Sequence, residues 1–358
     1  MKISLIISDI SKSGGTERSV STLANMLCKK YEKVEIISVI KTNTKKSYYD
    51  IDSRVSVKFL GQIPLASSLL SKIKWSVSTV VLLRKYFNEN NSNLIISTGH
   101  NYNWLLPFIK IRKKVKIIAC EHIVYKSIPK VSRIFMSSTY SFLDGIVVLS
   151  DKAKESFKKY SMIFVIPNSL PFKVSMESEL TSKQILVVGR LSAEKGLERL
   201  IPVSNKLKEK FPDWHITIVG EGPEKEKLST LISEANLRDV LKLNGISNNV
   251  ENFYLESSIY IMTSHFEAFP MVLLEAQSFG LPVIAYDCPE GPGQIINNGE
   301  NGYLIENDNV TDFSDKLFML IEDEELRKKI GKNAKSNSLN FTEERIIKKW
   351  MFLFDELK

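Results

Sequence analysis

The stretch Ser264-His265-Phe266-Glu267-Ala268-Phe269-Pro270-Met271-Val272-Leu273-Leu274-Glu275-Ala276-Gln277-Ser278-Phe279-Gly280 reads as a loop that runs into a helix. Ile259-Tyr260-Ile261-Met262 before it is a short apolar run of strand length. Pro270 stands where a helix begins and a missing N–H is tolerated. Met271 to Phe279 continue the helix, and Gly280-Leu281-Pro282 stop it. Glu267 therefore lies in a loop at a strand end, and Glu275 lies inside the helix. A helix start leaves backbone N–H groups available to an anion. Two carboxylates around an anion hole suit a sugar joined to a diphosphate. The same residues also read as an ordinary α/β turn with two surface glutamates.

Outward from this unit, the pattern repeats in both directions. Met1 to Ile7, Val34 to Ile40, Val55 to Leu60, Leu94 to Ser97, Val115 to Cys120, Gly145 to Leu149 and Ile163 to Ile166 are apolar strand candidates separated by helical spacing or turns. The sequence predicts a long amphipathic helix over Pro64 to Phe87, with Leu69, Ile73, Val77, Val80 and Leu83 recurring at threes and fours and Lys72, Lys74, Arg84 and Lys85 among them. Such a helix packs on its own sheet or touches a bilayer interface. Thr16 is the expected N-cap of the helix after Gly14-Gly15, and Ser150-Asp151 caps another. A second series of strands and helices starts at Gln184-Ile185-Leu186-Val187-Val188. Helical sequence fills Asn309 to Leu339 and Thr342 to Leu357. The fold class expected is α/β, built from two doubly wound domains. The first spans residues 1–168, a linker 169–181, the second domain 182–340, and a final helix 341–358.

Parallel strands bring their C-terminal ends to one edge, where ligands bind. In the first half that edge gathers Gly14, Gly15, His100 and His122. In the second it gathers Gly189, Arg190, Lys195, the Gly220-Glu221-Gly222 turn, Asn244-Gly245 and the Glu267 loop. Arg190 and Lys195 could neutralise a diphosphate leaving group, Arg through its planar fork and Lys as a point charge. Asp50-Ile51-Asp52 offers a metal alternative, but it lies in a polar loop away from any strand C-terminus.

Composition narrows the classes. Hydrophobic residues make up 43% of the 358, enough for two packed cores. Cys28, Cys120 and Cys288 are far apart, as are His100, His122, His215 and His265, so neither a disulfide framework nor a structural zinc site is expected. No secretory signal or membrane-length apolar run is read, and the expectation is a protein of the reducing cytosol. The net charge of +8 conceals an asymmetry: up to Phe172 there are 27 Lys and Arg against 11 Asp and Glu, and beyond it 22 against 30. The basic first half, densest at Lys110-Ile111-Arg112-Lys113-Lys114-Val115-Lys116, reads either as a solvated charged face or as a surface toward an anionic membrane or acceptor. No motif accompanies it that would point to nucleic acid.

The ordered set Gly14-Gly15-Thr16-Glu17-Arg18, Gly189-Arg190-Leu191 with Lys195-Gly196, Gly220-Glu221-Gly222, and Glu267-x7-Glu275 enclosing Phe269-Pro270 resembles the retaining GT-B glycosyltransferases of family 4, over nearly the whole chain. The resemblance implies two Rossmann-like domains facing across a cleft and a C-terminal helix that crosses back to the first domain. It implies that Arg190, Lys195, Gly15 and the Met271 and Val272 amides bind the donor diphosphate, that Glu267, Phe269 and Gly14 serve the donor sugar, that Glu275 binds ribose, and that Gly245-Ile246 receives the base. His122 and Glu267 would stand at the reacting sugar, with Arg18, His100 and His122 on the acceptor side. No metal or cofactor is implied. Asp287-Cys288-Pro289-Glu290-Gly291-Pro292-Gly293-Gln294 is similar to bacterial polysaccharide members that use UDP-galactose-type or UDP-N-acetylhexosamine donors, although many relatives carry Glu where Gln294 stands. The function so implied is transfer of a hexose or N-acetylhexosamine from a UDP-sugar to an undecaprenyl-diphosphate-linked or similar saccharide at the inner face of an anionic membrane. A sugar-nucleotide epimerase and a non-catalytic sugar-nucleotide-binding module are the alternatives.

Overall fold

A computed structural model describes residues 1–43, 46–64, 68–109, 115–172 and 174–357. The chain forms two compact units: Met1–Pro171 together with Glu343–Lys358, and Phe172–Thr342.

The first unit runs β1 (Lys2–Ile7), α1 (Gly15–Leu27), β2 (Lys33–Ser38), β3 (Val55–Phe59), α2 (Leu69–Glu89), β4 (Leu94–Thr98), α3 (His100–Asn103), α4 (Leu106–Ile109), β5 (Lys116–Cys120), α5 (Lys130–Thr139), β6 (Gly145–Val148), α6 (Asp151–Phe157) and β7 (Ile163–Val165). Its seven strands are all parallel, in the order β3-β2-β1-β4-β5-β6-β7. A parallel sheet is covered on both faces, so its strands are nearly continuous apolar runs whose successive residues enter opposite cores. That division is visible here. Ile3, Leu5 and Ile7 join Ile96, Ile118 and Val147 in one core, whereas Ile6 joins Ile95, Ile117 and Ile146 in the other.

The last helix of the chain, Glu343–Glu356, completes the first of these cores with Ile346, Trp350, Leu353 and Phe354. Lys29 also donates to its Glu343 at 2.6 Å. The C-terminal helix thus belongs to the first unit, although the whole second unit separates it from β7.

The second unit runs β8 (Gln184–Val188), α7 (Leu200–Lys210), β9 (His215–Val219), α8 (Lys225–Glu234), β10 (Leu241–Gly245), α9 (Val250–Leu255), β11 (Ile259–Met262), α10 (Met271–Ser278), β12 (Val283–Tyr286), β13 (Gly302–Ile305), α11 (Val310–Glu322) and α12 (Glu324–Ser338). The C-terminal helix Glu343–Glu356 is then α13. The six strands of this unit are parallel in the order β10-β9-β8-β11-β12-β13.

Several local expectations are corrected. Gly14, with extended backbone, is the N-cap of α1, and Thr16 lies inside the helix. The long amphipathic helix starts at Leu69, where Ser68 accepts from the Ser71 N–H at 3.2 Å; residues 65–67 of the expected range lie outside the described residues. Pro270 is the N-cap of α10 rather than its first turn. The helical run from Asn309 to Leu339 is broken at Asp323, whose carboxylate caps the Leu326 N–H at 2.9 Å and starts α12. Lys110 to Lys114 of the basic run lie outside the described residues, while Lys116 is in β5 and faces Asp144 at 3.5 Å.

Candidate functional site

In the second unit the chain leaves β8 toward β9 on one side and β11 toward β12 on the other, so the gap beyond β8 and β11 is a topological switch point. The loop after β8 carries Arg190 and Lys195. The loop after β11 carries Glu267. Close backbone packing fixes the first of these. A Cβ on Gly220 would stand 1.8 Å from the Gly189 carbonyl oxygen, and one on Gly222 would stand 2.2 Å from that of Leu191. Leu191 N–H donates to the Glu221 carbonyl at 2.9 Å, and Glu224 N–H donates to the Leu191 carbonyl at 2.9 Å. Arg199 holds the end of β11. Its Nη1 donates to the Thr263 carbonyl at 2.9 Å, its Nε donates to Asp308 at 2.9 Å, and its guanidinium lies 4.2 Å from the Tyr286 ring centre.

These constraints bring Lys195 and Glu267 together. Lys195 Nζ donates to Glu267 Oε1 at 2.6 Å, and Ser264 Oγ donates to the same oxygen at 2.9 Å. The carboxylate side chain is only 12% exposed. The loop after β12 presses on it from behind, since a Cβ on Gly291 would approach the Glu267 carbonyl oxygen to 2.6 Å. Lys195, Glu267, Ser264, Gly189 and Val272 line a shallow concavity. Val272 and Met271 open α10, whose first N–H groups have no acceptor within the helix. Arg190 is exposed on the β8 loop.

Glu275, one helical turn further, is 2% exposed and accepts from Tyr254 Oη at 3.1 Å. The Phe269 ring is buried against Phe341, with centroids 5.9 Å apart. The ring expected to serve the donor sugar thus packs inside the second unit. Gly245 ends β10 with φ +78 at a register shift, and Ile246 beside it is 65% exposed.

The first unit has its own switch point, between β1 and β4. Gly14, Gly15 and Arg18 follow β1, His100 follows β4, and His122 follows β5, one strand along. A Cβ on Gly15 would meet nothing within 4 Å, so packing inside this unit does not require a glycine there. The Arg18 guanidinium lies 5.6 Å from the Tyr49 ring centre. His122, partly exposed, borders a narrow concavity with Ser19, Thr98, Asn168 and Trp350. Burial lowers the His100 pKa and pushes that of His122 down to about 4, so the His122 ring is neutral near pH 7.

Asp52 of the Asp-x-Asp pair is held by Arg54 through Nη2 at 2.7 Å and Nε at 2.9 Å, which lowers its pKa and turns the carboxylate to a local ion pair. Among the described residues no three or more His, Cys, Asp or Glu side chains converge as a metal-binding group.

Residues 172–337 match the family described as Glycosyl transferases group 1. The chain is also 30% identical over 360 residues to the amylovoran biosynthesis glycosyltransferase AmsD of Erwinia amylovora, covering 98% of both chains. The chain belongs to the group 1 glycosyltransferases. A second relative of this group 1 glycosyltransferase is the Campylobacter jejuni GalNAc-alpha-(1->4)-GalNAc-alpha-(1->3)-diNAcBac-PP-undecaprenol alpha-1,4-N-acetyl-D-galactosaminyltransferase, 29% identical over all of this chain and 99% of that one. In fold it is similar to Staphylococcus aureus TarM, crystallised as a point mutant in complex with fondaparinux, alpha-GlcNAc-glycerol and UDP. The TM-score is 0.83 at 17% identity, covering 99% of this chain and 100% of that one.

Three residues of the group 1 glycosyltransferase carry roles that local sequence does not announce. Ser264 stands at the edge of the quoted stretch, and its spacing from Glu267 is the one available hint. Tyr254 reaches Glu275 from another helix and leaves no local trace. Glu121 is adjacent to His122 at the end of β5. It is buried, accepts from Asn103 Nδ2 at 2.6 Å and from Tyr140 Oη, and its Oε2 has no hydrogen-bond partner among the described residues.

Burial pushes Glu121 up to about 7, and the Tyr140 and Asn103 hydrogen bonds only partly offset it. Glu121 and His122 therefore oppose each other in pH dependence. From the ordinary carboxyl pKa up to about 7 the folded state holds the Glu121 proton that the unfolded state releases, so this group's contribution falls as pH rises. From about 4 up to the ordinary imidazole pKa the unfolded state holds the His122 proton, so that contribution rises with pH. E121Q keeps both donors to Oε1 and removes the first effect. Its stability should climb between roughly pH 4.5 and 6.5 by up to about 1.4 kcal/mol per pH unit more steeply than the parent's, the ceiling for one proton. Urea unfolding across that range checks it; parallel curves for parent and variant would refute the assignment.

Proposed function

We propose that the protein is a retaining, metal-independent family 4 GT-B enzyme that moves a hexose or N-acetylhexosamine from a UDP-sugar to a lipid-diphosphate-linked saccharide in cell-surface polysaccharide synthesis. The observation that carries this reading is the Lys195–Glu267 pair at the second switch point, beside the start of α10. A cation and a carboxylate joined beside free helix-start N–H groups support a site for one sugar diphosphate. The names of the Erwinia and Campylobacter relatives support the polysaccharide and lipid-linked context, and UDP in the TarM structure supports the donor class. The Asp287 to Gln294 motif favours a galactose or GalNAc-type donor.

In this mechanism Lys195 and Arg190, with the Met271 and Val272 amides, neutralise the charge that grows on the departing diphosphate, in the place a metal would otherwise take. Glu267 orients the donor-sugar hydroxyls, Glu275 takes the ribose, and Gly245-Ile246 the base. The bond from the anomeric carbon to the β-phosphate oxygen breaks while the bond to the acceptor oxygen forms on the same face. The acceptor proton passes to the leaving phosphate, so no enzymic nucleophile is used. Neutral His122, with His100 and Arg18, belongs to the acceptor side, and Gly14-Gly15 allow close approach to the donor.

A screen of UDP-sugars with a synthetic lipid-diphosphate monosaccharide in EDTA tests the reading. The expected product is α-linked by anomeric NMR. A β-linked product would remove retention, activity recovered only with Mn²⁺ would remove metal independence, and an isomerised UDP-sugar formed without acceptor would make the protein an epimerase.

We also propose peripheral association with the anionic inner leaflet through the basic first unit. No helix among the described residues is long and apolar enough to cross a membrane. Binding to liposomes containing anionic lipid should fall steeply between low and physiological salt, since juxtamembrane cations are worth about 1 kcal/mol each. Equal binding to neutral liposomes would sink the electrostatic version.

A further inference from the structure

Helix α2 carries two apolar stripes where a surface helix needs one. Trp75, Thr79, Leu83 and Phe87 recur every fourth residue and are buried toward the sheet. Ile73, Val77 and Val81 form a second stripe on the opposite side, and Val77 and Val81 are each 59% exposed. Across from them stand Phe108 of α4 and Val131 and Phe135 of α5, also exposed. The two walls flank an open groove of about 590 Å³. Its aromatic lining is ordered, with Trp104 stacked on Phe135 at 4.9 Å between ring centres. Among the described residues, Lys72 and Arg84 are the cations along it. Asn101, next in the chain after His100, forms part of the wall, so the groove opens beside the sheet edge that holds the acceptor-side residues.

A sugar or nucleotide would leave these hydrocarbon walls wet. Apolar walls with cations at the rim match an amphiphile with an anionic head and a long hydrocarbon tail. We infer that this groove holds the hydrocarbon chain of the lipid-diphosphate acceptor, with the diphosphate near Lys72 or Arg84 and the saccharide toward His100. The inference rests on the acceptor reading above and adds the place where the lipid is gripped.

The test uses one saccharide diphosphate on a short alkyl chain and on a long prenyl chain, with the parent protein and with V77E and F135E, both at exposed positions. In the parent, kcat/KM should be at least tenfold higher for the long chain, and both variants should lose most of that advantage. A dibrominated long-chain alkyl diphosphate below its micelle concentration should quench tryptophan fluorescence in the parent, and much less in W104F. An undiminished long-chain advantage in both variants overturns the inference while leaving transferase activity standing. Should no acceptor be turned over, the function reading fails, and quenching alone decides the groove. Quenching by brominated phospholipid vesicles but not by the free diphosphate lipid would make the face a bilayer contact and overturn the inference.

Discussion

Lys195→Ala is expected to lower kcat/KM for the UDP-sugar by about 10²- to 10³-fold, the range typical of losing one preorganised charge-stabilising donor. Two effects add. The diphosphate loses a fixed cation where its negative charge grows. Glu267, 12% exposed, also loses its counter-charge and keeps Ser264 as its hydrogen-bond donor. The pair, joined at 2.6 Å, points to an exchange on donor arrival, in which the ammonium turns to the phosphate and frees the carboxylate for sugar hydroxyls. K195A, E267Q and the double variant form a cycle that reads this coupling. The single losses should be strongly non-additive, with K195A weakening UDP binding by calorimetry and E267Q mainly lowering kcat. A loss below about fivefold for K195A, or fully additive effects, would separate the pair from the chemistry.

Gly220→Ala is expected to abolish donor binding by distorting the β8 loop, at a cost of about 3 kcal/mol or more to the second unit. The new methyl would stand 1.8 Å from a backbone carbonyl oxygen, at a residue whose φ is already +153. A rigid backbone atom cannot rotate away, so the loop carrying Arg190 and Lys195 must move. Gly15→Ala is the matched contrast. Its methyl meets nothing within 4 Å and lies in the first turn of α1, where alanine favours the helix. It should leave the thermal midpoint unchanged or higher while reducing turnover by at least tenfold, as the donor-side role proposed for Gly15 requires. Chemical unfolding and steady-state kinetics on both variants check the pair. G220A with parental stability, or G15A with parental turnover, would each refute its half.

Much of this architecture was legible because it is local. Buried parallel strands are short apolar runs, and Gln184–Val188 and Ile259–Met262 are read to the residue. The two switch points were not legible, because strand order depends on pairings between distant segments. Yet they explain why the loops bearing Lys195 and Glu267, some seventy residues apart, share one oxygen–nitrogen contact. The surroundings of Phe269 are hidden for a similar reason: the ring packs on Phe341, far along the chain. The break at Asp323 is a side-chain capping choice that helical periodicity does not register. The second stripe on α2 is written in the sequence, but only burial shows that it remains uncovered within the described residues.

The C-terminal helix α13 carries a consequence for the order in which the protein is made. Residues 172–342 form a contiguous unit that can close its core as soon as it leaves the ribosome. The first unit, begun earlier, lacks Ile346, Trp350, Leu353 and Phe354 until the residues after Thr342 are synthesised. Of the two units, the one begun earlier therefore finishes later, and nascent chains stalled anywhere before Glu343 carry an unsealed apolar face that chaperones would have to guard.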